Sequence, residues 1–339
     1  MTRMRTLIIG GTVFLGRAIV QEALRRGHQV TTFNRGASGA DAPGVEAVHG
    51  DRQVTADLER LAERREWDAV IDVCGYVPRV VGESVRLLSG RAPTYAFISS
   101  ISAISEFPAK AVNEESARFE CAPDAGPDDG DYGTLKAGCE RAVEQGFDGN
   151  RLIIEPGLIL GPHENVGRLP WWLTRMQRGG RVLAPGDPAK PMQVIDARDI
   201  AAFTLDQAEA GTDDRFLTSG EQGNTTYGGW LAECARVTGS DAEPIWVDDD
   251  FLLEHDVEPW TEFPLWVPNK PDMKELWDMS SAKAAAAGLR CRPVAETVAD
   301  TWAWLRDIPV DQRSFRTSML THGIEPDKEA AILAAWAAR

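Results

Sequence analysis

Residues 6–16 read TLIIGGTVFLG, an apolar run that enters a pair of glycines and continues as FLGRAIVQEALRRGH through residue 28. This stretch constrains the fold more than any other. A buried strand that passes through glycines into a helix opens a strand–helix–strand unit, and the next strand must then lie parallel to the first. The chain supplies such strands: QVTTFNR (29–35), VEAVHGD (45–51), DAVIDVCG (68–75), TYAFISS (94–100) and RLIIEPG (151–157). Between them, residues 55–65, 79–88 and about 132–145 carry apolar positions at helical spacing. The alternation predicts an α/β fold, a Rossmann-type doubly wound parallel sheet with helices on both faces.

Beyond residue 160 the alternation stops, and all but Trp67 of the eleven tryptophans lie there. Helices are expected at 196–211, 225–239, 294–307 and 327–338, with a short alanine-rich one at 282–288. The organisation expected is a dinucleotide-binding domain over 1–160, with 191–218 packing back onto it. A smaller, mostly helical substrate-binding region would comprise 161–190 and 219–339. Residues 105–131, acidic and rich in Pro and Gly, read as a long loop of the kind that is functional or disordered.

The net charge of −16 repels a polyphosphate backbone, so the partner expected is a small molecule and not a nucleic acid. The five cysteines, at 74, 121, 139, 234 and 291, have no C-x-x-C spacing, so neither a metal site nor a disulfide framework is expected. No apolar stretch is long enough to span a membrane. The N-terminal apolar run is broken by glycines and followed by Arg17 without a small-residue cleavage site, so it reads as a core strand and not a leader. The expectation is a cytoplasmic protein, monomer or homodimer.

A tight turn at Gly10, Gly11, Thr12, Val13, Phe14, Leu15 and Gly16 would aim backbone N–H groups and the positive end of a helix at a pyrophosphate. In a G-x-x-G-x-x-G frame the middle glycine is replaced by Val13. Its branched side chain would hold the phosphate further out, with Arg35 and Arg17 compensating by charge. At the end of the second strand an acid would accept from a free ribose 2′-hydroxyl, whereas an arginine pairs with a 2′-phosphate. The chain has Asn34 and Arg35 there, which predicts a preference for NADP(H), with NAD(H) also admissible. Asp51 would meet the adenine or cap a helix. Ligands of such sheets lie beyond the carboxyl ends of the strands. Cys74, Gly75, Ser99, Pro156 and Gly157 therefore join the expected cofactor-binding set.

The segment YGTLK places Tyr132 and Lys136 on one face of a helix. An ammonium beside a phenol favours phenolate, and such a tyrosine exchanges protons with a carbonyl or alcohol near neutral pH. At the fifth strand's end, ISSIS offers the hydroxyl of Ser100 or Ser99 to the reacting oxygen.

With GGTVFLG, the paired serines, YGTLK and EPGLILGP in this order, the chain resembles the extended short-chain dehydrogenase/reductases, also called the NAD-dependent epimerase/dehydratase family, over roughly residues 5–305. It looks most like a branch with a GGTxFLG turn. The resemblance implies Ser100 as the group polarising the substrate oxygen and Tyr132 as the acid/base. Lys136 would hold the nicotinamide ribose and tune the tyrosine. Three positions depart from the family pattern: Val13, Glu155 where an arginine is frequent, and 103–105, which read AIS. Some relatives with a similar turn resemble chloroplast RNA-binding proteins, a reading that fits the negative charge poorly.

The Asp-Glu pair that marks the family's dehydratases is replaced by Ile101 and Ser102, which disfavours elimination. Arg35 favours NADPH-dependent carbonyl reduction, a ketoreductase of secondary metabolism, with epimerisation of a sugar-like substrate or non-catalytic dinucleotide binding as alternatives. Trp171 and Trp172 could wall a bulky or aromatic substrate, and are as readily core. Ser102 and His163 complete the candidate substrate contacts.

Overall fold

The structure, a computed structural model, describes residues 3–313 and 321–339. Its first part runs β1 (Arg5–Ile9), α1 (Phe14–Arg25), β2 (Gln29–Asn34), β3 (Glu46–His49), α2 (Thr55–Arg64), β4 (Ala69–Asp72), α3 (Pro78–Leu88), β5 (Thr94–Ile98), α4 (Tyr132–Gly146) and β6 (Asn150–Pro156). Then follow β7 (Leu158–Leu160), α5 (Arg168–Gln177), β8 (Arg181–Pro185), β9 (Pro191–Met192), β10 (Val194–Asp196), α6 (Ala197–Ala210) and β11 (Asp214–Thr218). The chain continues through β12 (Thr225–Thr226), α7 (Tyr227–Thr238), β13 (Glu243–Val247), α8 (Asp249–Glu254), α9 (Ala282–Ala286), α10 (Val294–Leu305) and α11 (Pro326–Ala337).

One seven-stranded sheet has the order β11-β6-β5-β4-β1-β2-β3, with every pairing parallel. Strands buried on both faces need apolar residues at successive positions, and β1 shows why. Ile8 enters the layer formed with α1 and α6, whereas Leu7 and Ile9 enter the opposite layer under α2, α3 and α4. The strand order reverses between β1 and β4, and the crevice outside their carboxyl ends is where such sheets take ligands.

Within residues 191–218, β11 pairs with β6 as the edge strand of the sheet. The remainder of the second half builds a separate core around the β8–β13 pair, α5, α7 and α10, with Trp172, Trp230 and Phe263 fully buried. The 105–131 loop contains no helix and no extended ladder, yet it is tied down. Ile104 bridges to Arg118 and Val112 bridges to Met279, and Ile104 and Val112 pack on Leu217 and Met279. No helix among the described residues is long and apolar enough to cross a membrane.

Candidate active site

The glycine turn is built by torsion and by close approach. Gly10 and Gly11 have φ of 104° and 102°, in the region that disfavours a Cβ. At Gly16 a Cβ would sit 2.9 Å from Val73 Cγ2 and 3.0 Å from the Gly11 nitrogen, so only glycine lets α1 come this near the sheet. Val13 is extended, with φ −129°, which any residue adopts, so the backbone does not ask for glycine at the position where the motif lacks one. Val13 is the N-cap of α1 and supplies no side-chain acceptor. The first amides of α1 therefore have no side-chain cap among the described residues, and an anion suits that place.

The turn opens into a cleft of about 570 Å³. Among the expected residues, Gly10 to Gly16, Asn34, Arg35, Asp51, Cys74, Ser99, Tyr132 and Lys136 line it. Its glycine cradle and its uncapped helix end suit the pyrophosphate of a dinucleotide, for which the sequence expectation puts the adenosine toward Arg35 and Asp51 and the nicotinamide toward Ser99, Tyr132 and Lys136. Gly75 stands just behind, where its carbonyl accepts from Lys136, and a Cβ on it would come within 2.6 Å of the Phe97 ring. Pro156 and Gly157 are not in the lining. Gly157 instead bonds the Thr218 carbonyl through its N–H.

At the adenosine end Asn34 makes an Asx-type turn. Its Oδ1 accepts from the Gly36 N–H at 2.7 Å, and its Nδ2 donates to Asp41 Oδ1 at 2.8 Å. The acid missing after β2 in the sequence thus returns from six residues past Arg35, but it stands behind Asn34, on His49 Nε2 at 2.7 Å, and outside the cleft lining. Arg35 is exposed on the cleft rim. Asp51 Oδ1 accepts from the Gln53 N–H at 2.9 Å. Arg52 was not anticipated. It lines the cleft and forms a bidentate pair with buried Asp72 at 2.7 Å, joined by the Tyr95 hydroxyl.

At the other end α4 starts at Tyr132, capped by Asp131, whose carboxylate accepts from the Thr134 N–H at 2.9 Å. Tyr132 is 43% exposed, and its hydroxyl makes no hydrogen bond to the described residues. Lys136, one turn on, is buried and donates to the carbonyls of Gly75 at 2.9 Å and Ile98 at 2.7 Å. Two of its three donors thus fasten α4 to the ends of β4 and β5, and one remains for a ligand. The serines diverge. Ser99 lines the cleft and donates to buried Glu140, whereas Ser100 caps the short 3-10 turn Ile101–Ala103, accepting from the Ser102 N–H at 3.1 Å. Tyr76, a residue the sequence reading missed, lines the cleft 57% exposed, with its ring centre 5.6 Å from Lys136 Nζ. Its only sequence signal is its place just after the β4 carboxyl end.

The remaining candidates lie apart from the cleft. Trp171 and Trp172 belong to the second core, 6% and 0% exposed, and Trp172 Nε1 donates to the Pro264 carbonyl. They form no ligand wall. His163 packs on Trp304 with ring centres 5.0 Å apart, and burial with Arg17 nearby pushes it down to about 4, which leaves a neutral imidazole. Arg17 is therefore near His163 and not in the cleft lining. The Ser102 carbonyl abuts Gly133, where a Cβ would meet it at 2.2 Å. Glu155 is fully buried and held by Arg118 through two bonds of 3.0 and 2.6 Å and by Arg215 at 2.7 Å. The acid at a position where arginine is frequent is thus answered by arginines from elsewhere.

The extended Val13 torsion has a testable consequence. Val13→Gly should keep or tighten dinucleotide affinity. Gly10→Ala, which places a side chain at φ 104° with its Cβ 2.7 Å from Val73 Cγ2, should weaken it by roughly tenfold. Calorimetric titration of both variants checks this, and a large loss in Val13→Gly would contradict it.

Residues 6–88 match the model of the NAD dependent epimerase/dehydratase family. The chain is 25% identical over 252 residues to the chloroplast stem-loop binding protein of 41 kDa b of Arabidopsis thaliana, covering 69% of this chain and 63% of that relative's length. Solved structures share the fold. They include the UDP-glucose 4-epimerase of Thermotoga maritima with UDP-glucose, at TM-score 0.69 and 17% identity over 90% of this chain and 99% of that one. The WbmH enzyme of Bordetella bronchiseptica with NAD+ gives TM-score 0.69 and 15% identity over the same shares, 90% and 99%. The family match spans β1 to α3, the segment that carries the glycine turn, and the likeness to the solved structures is one of fold.

Proposed function

We propose that this protein binds NAD(P) in the cleft and uses Ser100, Tyr132 and Lys136 to oxidise and re-reduce one carbon of a sugar-like substrate, as an epimerase. The observation that carries the reading is the convergence of an unbonded phenol, Tyr132, and a buried ammonium, Lys136, on the cleft that begins at the glycine turn. The dinucleotide, when bound, supplies the hydride acceptor and donor. Tyr132 takes the proton of the substrate hydroxyl and returns it when the carbonyl is reduced from the opposite face. That step needs Tyr132 as phenolate beforehand, and the Lys136 ammonium, held by two carbonyls, favours this form. Ser100 retains its own hydroxyl hydrogen for the reacting oxygen, since its lone pair and not its proton serves the Ser102 amide.

This reading departs from the carbonyl reduction expected from the sequence. The aromatic wall invoked for a bulky substrate is core, and the fold is one on which sugar-nucleotide 4-epimerases are built. Arg35, exposed on the rim, supports a 2′-phosphate on the cofactor. RNA binding of the kind the Arabidopsis relative is named for is opposed by the net charge of −16.

The test is hydride bookkeeping on the dinucleotide-loaded protein with a panel of nucleotide sugars. Epimerisation yields a stereoisomer of unchanged mass with no net change in nicotinamide absorbance. Stoichiometric loss of NADPH with alcohol formation would restore the reductase, and failure to bind either dinucleotide would end both readings.

A further inference from the structure

Behind the nicotinamide end of the cleft lies a buried ionic cluster that the mechanism above does not use. Glu140 is one turn beyond Lys136 on the same face of α4 and is 1% exposed. One of its carboxylate oxygens accepts from Ser99, a cleft-lining residue, and the other accepts from Arg215 Nη1 at 2.5 Å. The same Arg215 nitrogen donates to Glu155 at 2.7 Å, so two buried carboxylates share one guanidinium donor. Arg118, from the long loop, takes the other side of Glu155, and Glu144 takes the outer nitrogen of Arg215. The groups facing Glu140 are thus Glu155 on β6, Arg215 on β11, Ser99 at the end of β5, and Lys136 and Glu144 on its own helix, with Arg118 one residue further out.

We infer that Glu140 is a positioning residue for the cofactor. Through Ser99 it places a negative charge one side chain behind the nicotinamide, and this favours the oxidised, cationic ring over the reduced, neutral one. The inference rests on the proposed dinucleotide site. Its physical basis is the low dielectric of a buried cluster, where a single charge is felt over several ångströms. Glu155 has Arg118 as well as Arg215, whereas Glu140 has only the shared Arg215 donor and Ser99, and Glu140 is the one pushed up, to about 7, by burial and by Glu155. Its charge is therefore adjustable near neutrality. A cation arriving at the nicotinamide position draws it into the ionised form and expels its proton, whereas a neutral ring does not. An epimerase gains from this, since a bias toward the oxidised cofactor leaves the enzyme ready to oxidise its substrate.

The experiment is calorimetric titration at neutral pH in two buffers of different ionisation enthalpy, NADP+ against NADPH, repeated with NAD+ against NADH. Each pair differs only at the nicotinamide, so protons taken up or lost at the adenosine end, by His49 or a 2′-phosphate, cancel in the difference. The expected result is an excess release of roughly 0.4 of a proton for the oxidised form. The affinity ratio of oxidised to reduced cofactor should rise by up to about tenfold as pH goes from roughly 6 to 8. Glu140→Gln, which keeps the size and can still accept from Ser99, should abolish both differences. Equal proton release for the two redox forms in the unaltered protein overturns the inference, even if the variant fails to fold. Differences that persist in a folded Glu140→Gln overturn it as well. Absence of binding by either form would instead strike at the dinucleotide site itself.

Discussion

Replacing Tyr132 with phenylalanine should lower turnover by ~100-fold or more while leaving dinucleotide affinity within about twofold. The reasoning starts from what the hydroxyl does in the folded chain. It makes no hydrogen bond to the described residues and sits on a side chain 43% exposed at the first position of α4, so its loss strands no buried partner. Folding stability should therefore stay within about 0.5 kcal/mol, the range of ordinary surface changes. The helix start is held by Asp131 and the rest of α4 by Lys136, and neither depends on the phenol. What disappears is the group that receives the substrate proton in the proposed mechanism. The measurements are a thermal melt, a dinucleotide titration and the rate of stereoisomer formation. A variant that turns over at the normal rate would remove Tyr132 from the chemistry, whatever the fate of the fold.

The sheet was legible because its physics is local. A strand buried on both faces must be apolar at every position, and a crossover helix must show an apolar stripe, so TLIIG, TYAFISS and the segments between them announce themselves. Gly10, Gly11 and Gly16 were legible for the same reason, since each answers a torsion or an approach set within a few residues or by the adjoining strand. The paired tryptophans were not. A core and a ligand wall select the same side chains, and only the packing of α5 on Phe263 and Trp230 decides between them. Nor was the cluster of Arg118, Glu140, Glu155 and Arg215 visible. Its members come from a loop, a helix and two strands, and no spacing in the sequence brings them together. Asp41 illustrates the intermediate case. The stretch after β2 reads as lacking an acid, and the loop then folds one back onto Asn34. Reading ribose preference from the residues that directly follow a strand is blind to such a return.

Gly133→Ala should be as damaging as removal of the phenol, and for a different reason. Gly133 follows Tyr132 in the first turn of α4, and its Cα faces the carbonyl of Ser102, two residues past Ser100. An added Cβ would lie 2.2 Å from that oxygen and 3.1 Å from its carbon. A backbone carbonyl cannot swing aside as a side-chain tip does, so either the 3-10 turn Ile101–Ala103 or the start of α4 must move. Both are occupied. The turn is fixed by the Ser100 cap and by Ile101 and Ile104 in their small core, and the helix by Lys136 on the Gly75 and Ile98 carbonyls. Overpacking of this kind costs about 1–3 kcal/mol of stability. The larger effect should fall on the reaction, because the shift moves apart Ser100 and Tyr132, whose hydroxyls the proposed mechanism brings to one substrate oxygen. A displacement of about 1 Å can cost ~100-fold in rate. The glycine turn belongs to β1 and α1, not to the two elements that clash, so dinucleotide affinity should fall far less than turnover. That split, read by titration and by turnover on the same folded preparation, marks Gly133 as the spacer between the serine turn and the tyrosine helix. A Gly133→Ala protein with unchanged turnover would show that the two elements slide past each other without cost.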